Sequence, residues 1–158
     1  MEENKLTTTE SGRIDLLSEI LNAYSVKPAD IRSYSPLTLA YIGDCVYEII
    51  VRSVVVGKAN RQPEKLHRLV SGVVKAETQC KLFDLWTEEL PEAEVDILKR
   101  GRNARPHTTA KNASAANYHK ATGVEALMGY LYLTGNMDRA IALVKDGLER
   151  CGIRLETL

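Results

Sequence analysis

Two acidic side chains stand alone in apolar parts of the sequence. Asp44 lies within LTLAYIGDCVYEII, residues 37–50, and Glu125 is the only acid in ATGVEALMGYLYLTGNM, which contains no basic residue. Gly43 precedes the aspartate, and Gly129 follows the glutamate by four residues. A carboxylate among apolar residues costs several kcal/mol unless a partner compensates it. Two such carboxylates facing each other across a helix pair would suit Mg²⁺ or Mn²⁺, which prefer oxygen ligands.

A simpler interpretation of these acids is also open. Asp44, Glu48 and Arg52 are spaced four residues apart, so they could form a solvent-exposed row of ion pairs. That interpretation suits the glutamate and the arginine. It suits Asp44 poorly, because aspartate is a weak helix former and its neighbours are small or apolar. A lone residue such as Glu125 is more often an acid on the exposed edge of a helix. The spacing alone does not decide between a metal site and surface acids.

The spacing of apolar residues predicts an all-α protein of five to seven helices. We expect residues 1–12 to be disordered and residues 13–158 to form one helical domain. Ser35 and Pro36 predict the start of a long helix that Gly57 ends. Asn136 is expected to cap the last helix. The expected helices span about 14–21, 36–56, 63–86, 91–101, 114–134 and 137–152.

Basic residues are concentrated between Ile97 and Val124, where the sequence contains no acid. A polar loop is predicted within this stretch, at about 101–112. Its composition suits contacts with phosphate and sugar better than base reading. A solvated loop that offsets the acids of residues 77–96 is the simpler interpretation. The candidate RNA-binding residues are Lys99, Arg100, Arg102, Arg105 and Lys111, with Lys75 as a weaker candidate.

Composition limits the classes of function. The 158 residues include 21 basic and 21 acidic side chains, so any surface for nucleic acid must be a local patch. The three cysteines have no zinc-knuckle spacing, which disfavours a zinc site or a disulfide framework and favours a reducing compartment. The sequence has no Walker or GxGxxG loop. We expect a cytoplasmic protein without a membrane partner, because no signal peptide or membrane-spanning run is recognisable.

Four stretches in this order resemble one known family: LTLAYIGDCVYE, KLHRLVSGVVKA, LKRGRNA and YHKATGVEALMGYLYL. The first resembles the signature helix of ribonuclease III catalytic domains, which carries a metal-binding aspartate. The last resembles that family's second motif, which carries a metal-binding glutamate. Across residues 33–150 the sequence is most similar to the Mini-ribonuclease III branch, whose members lack the double-stranded-RNA-binding domain. The catalytic domain is therefore expected to hold its own substrate.

This resemblance implies a homodimeric, ribonuclease III-like endonuclease domain. It implies cleavage of double-stranded RNA with Mg²⁺, or with Mn²⁺ as a substitute, leaving 5′-phosphates. Asp44 and Glu125 would be the catalytic, metal-binding pair. The implied substrate is precursor 23S rRNA, trimmed at both ends, and it stays open whether a ribosomal protein first shapes that RNA. Full-length ribonuclease III has further carboxylates where this sequence has Ala40 and Thr122, and Mini-type members also tend to lack them.

Two other functions stay open on the sequence. One is an all-α, Mg²⁺-dependent nucleotide pyrophosphatase, an enzyme class that uses clustered acids. Here Glu92, Glu94 and Asp96 alternate by two and would spread around their helix. The other is a non-catalytic, helical RNA-binding factor in ribosome assembly. Ala40 and Thr122, which stand in place of two acids of the family pattern, make it conceivable, whereas the retained Asp44 and Glu125 argue against it.

Overall fold

The computed structural model describes residues 15–104 and 113–158. Within these ranges the chain forms α-helices and short 3-10 turns without any strand, which confirms the predicted all-α class. The helices are α1 (Leu16–Ala23), α2 (Pro36–Lys58), α3 (Pro63–Val74), α4 (Ala76–Glu89), α5 (Glu92–Asn103), α6 (Ala113–Leu133) and α7 (Met137–Arg150). The 3-10 turns cover Ile31–Ser33 and Leu155–Thr157. Residues 1–12, Arg105 and Lys111 lie outside the described residues.

Helices α2 and α6 form the centre of the fold. Helices α4 and α5 pack on α6, and α3 packs on α2. Between residues 121 and 131, helix α6 is buried on nearly all sides, as expected for a helix that its neighbours enclose. The largest fully buried side chains come from five helices: Tyr47, Val51, Val55, Leu82, Trp86, Leu98, Val124, Leu127, Met128, Val144 and Leu148. None of the helices in the described part is long and apolar enough to cross a membrane.

The backbones of α2 and α6 touch at two glycines. A Cβ atom added at Gly43 would lie 1.6 Å from the carbonyl oxygen of Glu125. A Cβ atom added at Gly129 would lie 2.0 Å from the carbonyl oxygen of Leu39. Both distances are far below a van der Waals contact, so only glycine permits this crossing. The glycines that the sequence places near the two isolated acids therefore set the separation of the two central helices.

Helix α5 approaches α6 in the same way. A Cβ atom at Gly101 would lie 2.8 Å from the Cα atom of Gly123, and one at Gly123 would lie 2.5 Å from the carbonyl oxygen of Leu98. This contact is two residues before Glu125 in the chain. The last turns of α5 are therefore held against the part of α6 that carries the glutamate.

The continuous helix predicted from Pro63 to Trp86 is wrong. The helix breaks at Lys75, whose backbone is extended (φ −63°, ψ 153°). The break is stable because side chains from α2 and α4 donate to the last carbonyl groups of α3, which otherwise lack partners at a helix end. These donors are Tyr47 Oη to Val73 O at 2.9 Å, Thr78 Oγ1 to Gly72 O at 2.9 Å, and Gln79 Nε2 to Val74 O at 3.0 Å.

Three predicted helix ends also differ from the structure. Gly57 lies inside α2, which continues to Lys58. Helix α5 extends to Asn103, so the predicted loop at 101–112 begins later than expected. Asn136 occupies the N-cap position of α7, but its side chain makes no capping hydrogen bond; its amide donates to Thr134 instead.

Candidate active site

The glycine contact between α2 and α6 brings the two isolated acids together. Asp44 follows Gly43 on α2, and Glu125 is the residue whose carbonyl oxygen that glycine faces. The two carboxylates are close enough for the charge of Asp44 to raise the pKa of Glu125. Glu125 is partly buried, whereas Asp44 is exposed. The apolar neighbours of Asp44 in the sequence favour a buried aspartate, and this interpretation is wrong, because Asp44 lies on the exposed side of α2.

The site favours bound protons or a bound cation. Burial, and then the charge of Asp44, raise the pKa of Glu125 to about 7, against a hydrogen bond from Gln79 that lowers it. Burial also raises the pKa of Asp44, with a further contribution from the negative charge of Glu48. Two carboxylates in this arrangement repel each other in their ionised forms. A hard divalent cation fits here, because its charge would stabilise both ionised carboxylates and its preferred ligands are oxygens.

The ion pair predicted between Glu48 and Arg52 is confirmed. Their side chains are 2.6 Å apart across one helical turn, and more than half of the arginine side chain is exposed. The solvent-facing interpretation is therefore correct for these two residues. Glu48 is therefore partly compensated by Arg52, whereas no ion pair of Asp44 or Glu125 is found among the described residues.

Gln79 is a member of this site that the sequence analysis missed. Its side chain is buried, with 3 % of the residue exposed, its amide nitrogen donates to the carbonyl oxygen of Val74, and it lies close enough to Glu125 to lower the pKa of that carboxyl. Its position depends on the break between α3 and α4, which the apolar spacing did not predict. A neutral amide in the first turn of α4 carries no charge or spacing signal. Only the three-dimensional approach of the helix junction to α6 reveals it.

Ala40 and Thr122, which stand where longer family members have acids, are buried in the described structure. They are 6 % and 5 % exposed. The Thr122 hydroxyl donates to the carbonyl oxygen of Tyr118 on its own helix, at 3.0 Å. Among residues 15–104 and 113–158, no group of three or more His, Cys, Asp or Glu side chains could hold a metal. A divalent ion would therefore have two protein carboxylates, with water and substrate phosphate as its other ligands.

Three of the candidate RNA-binding residues lie on α5, and of these Arg102 was predicted to lie in the loop. Lys99 and Arg100 are exposed. The Arg102 guanidinium lies over the ring of Phe83, 5.5 Å from its centroid. That ring lies where a Cβ atom of Gly123 would clash at 2.9 Å, which places Arg102 beside the helix that carries the glutamate. Arg102 is therefore beside α6, whereas Lys99 and Arg100 are on exposed parts of α5.

Lys75 lies apart from this group, at the break between α3 and α4. It is exposed and forms an ion pair with Glu77 at 3.3 Å. This partner weakens its case as a phosphate contact, although an exposed pair of this kind contributes little energy and opens easily. Arg105 and Lys111 belong to the part of the chain outside the described residues.

The acids considered for a nucleotide pyrophosphatase do not form one site. Glu94 is buried, and its carboxylate accepts two hydrogen bonds from the guanidinium of Arg139 on α7. Glu92 and Asp96 are exposed on the same helix. The buried glutamate therefore has a structural partner, and the alternating acids point in different directions, as predicted.

Comparison with known proteins identifies the family. Residues 37–136 match the family model described as "Ribonuclease III domain". The chain is 42% identical to Mini-ribonuclease 3 of Enterococcus faecalis over 125 residues, which cover 78% of this chain and 95% of that protein. This chain belongs to the Mini-ribonuclease III branch of the ribonuclease III family. It is accordingly an endoribonuclease.

Other relatives agree with this assignment. Mini-ribonuclease 3 of Streptococcus pneumoniae is 42% identical, over 73% of this chain and 91% of that protein. The fold is similar to the crystal structure of protein FN1578 from Fusobacterium nucleatum, with a TM-score of 0.68 and 26% identity. That match covers 78% of this chain and 98% of the other. The resemblance found in the sequence motifs is therefore confirmed for the family and for the fold.

Proposed function

We propose that this endoribonuclease cleaves double-stranded RNA in a Mg²⁺-dependent reaction at Asp44 and Glu125. The observation that carries the proposal is the backbone contact at Gly43 and Gly129, which brings two carboxylates from different helices into one electrostatic site. Two ionised carboxylates held beside each other repel, which lowers the stability of the fold. Such an arrangement is expected where the acids have a function. Mn²⁺ is expected to substitute for Mg²⁺, because both accept carboxylate and water ligands.

Asp44 and Glu125 would hold the divalent ion from two different positions in the site. Asp44 lies at the exposed edge, where an RNA phosphate can approach, and Glu125 lies behind it in α6. A divalent ion bound by both carboxylates would supply a Lewis acid that activates water and stabilises the charge developing on the scissile phosphate. Attack in line with the leaving 3′ oxygen leaves a 5′-phosphate and a 3′-hydroxyl. By holding that ion, the two carboxylates would fix the position of the reacting phosphate, and positioning of this kind is a large part of the rate gain in such reactions.

Basic side chains on α5 would hold the duplex backbone. Lys99 and Arg100 are exposed and Arg102 lies over the ring of Phe83, so the last turns of α5 present three basic side chains on a protein of zero net charge. We include Arg105, Lys111 and, more weakly, Lys75 in this surface on the basis of the sequence. A-form RNA is recognised mainly through its shape, phosphates and 2′-hydroxyl groups. Little base specificity is therefore expected, and precursor 23S rRNA is the natural substrate that the family resemblance suggests, with or without a ribosomal protein.

An exposed apolar row supports the homodimer. Leu37, Tyr41, Cys45 and Ile49 follow each other at four-residue spacing along one face of α2, and all are exposed. The Tyr41 side chain is 83% exposed, which is unusual for an aromatic residue in a central helix. A second copy packed on this row would remove these side chains from water. A two-fold dimer formed there would provide a second active site, which would act on the other RNA strand.

The decisive experiment compares duplex and single-stranded RNA in Mg²⁺ and in chelator. Purified wild-type protein should cut the duplex only, and only with Mg²⁺. Asp44→Asn and Glu125→Gln should both abolish cleavage while circular dichroism stays unchanged. Glu48→Gln is the matched control, because it neutralises a carboxylate on the same face of α2 that already has a basic partner, and it should keep most of the activity.

Other outcomes would support the rival functions. A duplex that is bound but never cut would favour the non-catalytic RNA-binding factor. Hydrolysis of free nucleoside triphosphates without RNA cleavage would favour the pyrophosphatase. Full cleavage by either Asp44→Asn or Glu125→Gln at the same Mg²⁺ concentration would show that these two residues are not the metal-binding pair.

A further inference from the structure

A second basic part of the protein lies on α2 and α3, away from the basic end of α5. Between Glu48 and Glu77 the sequence has six basic residues and one acid, Glu64, although the whole protein carries no net charge. Five of the basic residues are exposed and the sixth is partly exposed. They are Arg52, Lys58, Arg61, Lys65, Arg68 and Lys75. Such an excess of positive charge on one part of a neutral protein favours an anionic partner.

This basic region borders a groove between α2 and α3. The groove has a volume of about 200 Å³, and Arg52, Val55, His67 and Val70 are among the residues that line it. Val55 and Val70 are buried, whereas Arg52 and His67 are exposed, so the base is apolar and the mouth is polar. None of the described residues that line the groove is acidic. An apolar base with nitrogen donors at the mouth suits the ribose and the phosphate of a nucleic-acid backbone.

The ion pair with Glu48 leaves most of the Arg52 guanidinium available. Only the Nη2 atom of Arg52 lies close to the Glu48 carboxylate, at 2.6 Å. A guanidinium carries five N–H donors in a planar fork, so it can bind a phosphate on another edge. Lys58 and Arg61 differ, because both donate to the carbonyl oxygen of Leu158, at 3.0 and 3.1 Å. Arg52 is therefore the basic side chain of this region that is placed to bind a ligand in the groove.

The groove extends along α2 from the candidate active site. Asp44 and Arg52 are both exposed on α2, and eight residues separate them by about 12 Å along the helix axis. Helix α3 runs antiparallel beside this part of α2. Its last turn meets Tyr47 through the hydrogen bond to Val73, and its earlier turns meet Arg52 at the groove. An RNA duplex with one phosphate at Asp44 would reach the groove without bending.

We infer that the groove between α2 and α3 binds the sugar–phosphate backbone of the substrate duplex, about 12 Å along α2 from the scissile phosphate. Arg52 and His67 donate hydrogen bonds to a phosphate, and the ribose beside it packs on the apolar base. Contacts of this kind fix the position of a duplex without reading its sequence. This inference rests on the proposed function, in which the duplex is cleaved at Asp44 and Glu125.

The test measures duplex binding and cleavage by Arg52→Gln and His67→Gln proteins. Binding is measured in chelator at several salt concentrations, so that it does not depend on catalysis, and cleavage is measured at saturating Mg²⁺. Arg52→Lys keeps the charge but not the planar fork. Arg150→Gln is the matched control, because Arg150 is also an exposed arginine with an acid four residues before it, Asp146 at 3.7 Å. Thermal unfolding and sedimentation report the fold and the association state of each protein.

Arg52→Gln should bind the duplex about tenfold more weakly, as expected when one charge-assisted hydrogen bond is lost. The salt dependence of binding should decrease by roughly one unit of slope. KM for the duplex should rise by a similar factor with kcat unchanged, because the contact is the same in the ground state and the transition state. His67→Gln should lose less affinity. Arg52→Lys should restore the salt slope and part of the affinity, and Arg150→Gln should bind the duplex as wild type does.

Ethylation of single phosphates locates the contact on the RNA. With wild-type protein, ethylation at a phosphate away from the cleaved bond should weaken binding. With Arg52→Gln, ethylation of that same phosphate should cause no further loss, because the contact is already missing. Ethylation at the cleaved phosphate should affect both proteins equally.

Two results would overturn the inference. The first is wild-type affinity and salt slope in folded Arg52→Gln and His67→Gln proteins. The second is a loss of dimer in sedimentation caused by these substitutions, because the groove would then bind a second copy of the chain. Failure of the proposed function has a different signature: Asp44→Asn would keep full cleavage, whereas the effect of Arg52→Gln on binding in chelator would remain.

Discussion

Replacing Gly43 with alanine tests the contact on which the candidate site depends. The added Cβ atom would lie 1.6 Å from the carbonyl oxygen of Glu125 and 2.7 Å from the backbone nitrogen of Gly129. Both are backbone atoms of a central helix, so no flexible side chain can move aside. The two helices must separate, and Asp44 must move away from Glu125 together with the backbone of α2.

The size of the movement follows from that distance. An ordinary contact of a Cβ atom begins at 3.4 Å, so α2 and α6 must separate by about 1.8 Å at this point. Overpacking of a core typically costs about 1–3 kcal/mol, against a gain of about 1 kcal/mol for replacing glycine by alanine in a helix. A displacement of 1 Å in a catalytic group can lower the rate about 100-fold. Activity should therefore fall far more than stability.

The assay pairs urea unfolding with cleavage of duplex RNA at saturating Mg²⁺. Gly57→Ala is the matched control, because it adds a methyl group to the same helix where no atom lies within 4 Å. It should be as stable as wild type or slightly more stable, and fully active. A Gly43→Ala protein with the stability and activity of Gly57→Ala would refute the argument that glycine sets the distance between the two carboxylates.

Three further predictions concern charge and assembly. In chelator, the free energy of unfolding should decrease as the pH rises from 4.5 to about 7, because folded Glu125 retains a proton that the unfolded chain has released. At about 1.36 kcal/mol per pKa unit, this decrease in the free energy of unfolding reaches up to about 3 kcal/mol. The Glu125→Gln protein should not show the decrease when it is unfolded with urea over the same pH range. An equal pH dependence in both proteins would contradict the raised pKa of Glu125. Replacing Arg100 and Arg102 by glutamine should weaken duplex binding and reduce its salt dependence by roughly one unit of slope per lost phosphate contact. An unchanged slope in filter binding would mean that these side chains are merely solvated. In sedimentation, Ile49→Asp should convert the dimer into a monomer. Ile141→Asp, at an exposed apolar position outside the row on α2, should leave the dimer intact. A monomeric wild-type protein would contradict the proposal that two active sites of a dimer act on the two RNA strands.

The sequence predicted the central helix pair and its acids for physical reasons. Apolar residues at helical spacing indicate which helix faces are buried. The long apolar stretches of α2 and α6 therefore predict that these two helices lie at the centre of the fold. An acid without a compensating charge in such a helix is conspicuous, and a nearby glycine indicates a close approach. Gly43 and Gly129 carry this signal in their identity alone, because a residue with a side chain would fit neither position. The pairing of Asp44 with Glu125 was therefore accessible from local sequence.

The helix break and its consequences were not accessible in the same way. Apolar residues continue in phase through Lys75, so the spacing predicts one helix where the structure has two. The break depends on Tyr47, which is 26 residues away from the carbonyl it caps. Gln79 gains its contact with Glu125 only once that break exists. The exposure of Asp44 was not predicted either, because the apolar residues around it suggested burial. Some of these apolar residues, such as Tyr41 and Ile49, are themselves exposed in the single chain.

The buried positions Ala40 on α2 and Thr122 on α6 explain why the proposed site has few acids. Ala40 and Thr122 are packed in the interior, where an additional carboxylate would need its own counter-charge. In the proposed site, backbone contact at Gly43 and Gly129 would fix the two carboxylates, and the buried neutral amide of Gln79 lies close enough to Glu125 to lower its pKa. A neutral group adds no repulsion to the pair, whereas a third acid would raise the pKa of both. The site thus depends on geometry more than on the number of charges, and a change of the helix separation should be as damaging as the loss of a ligand.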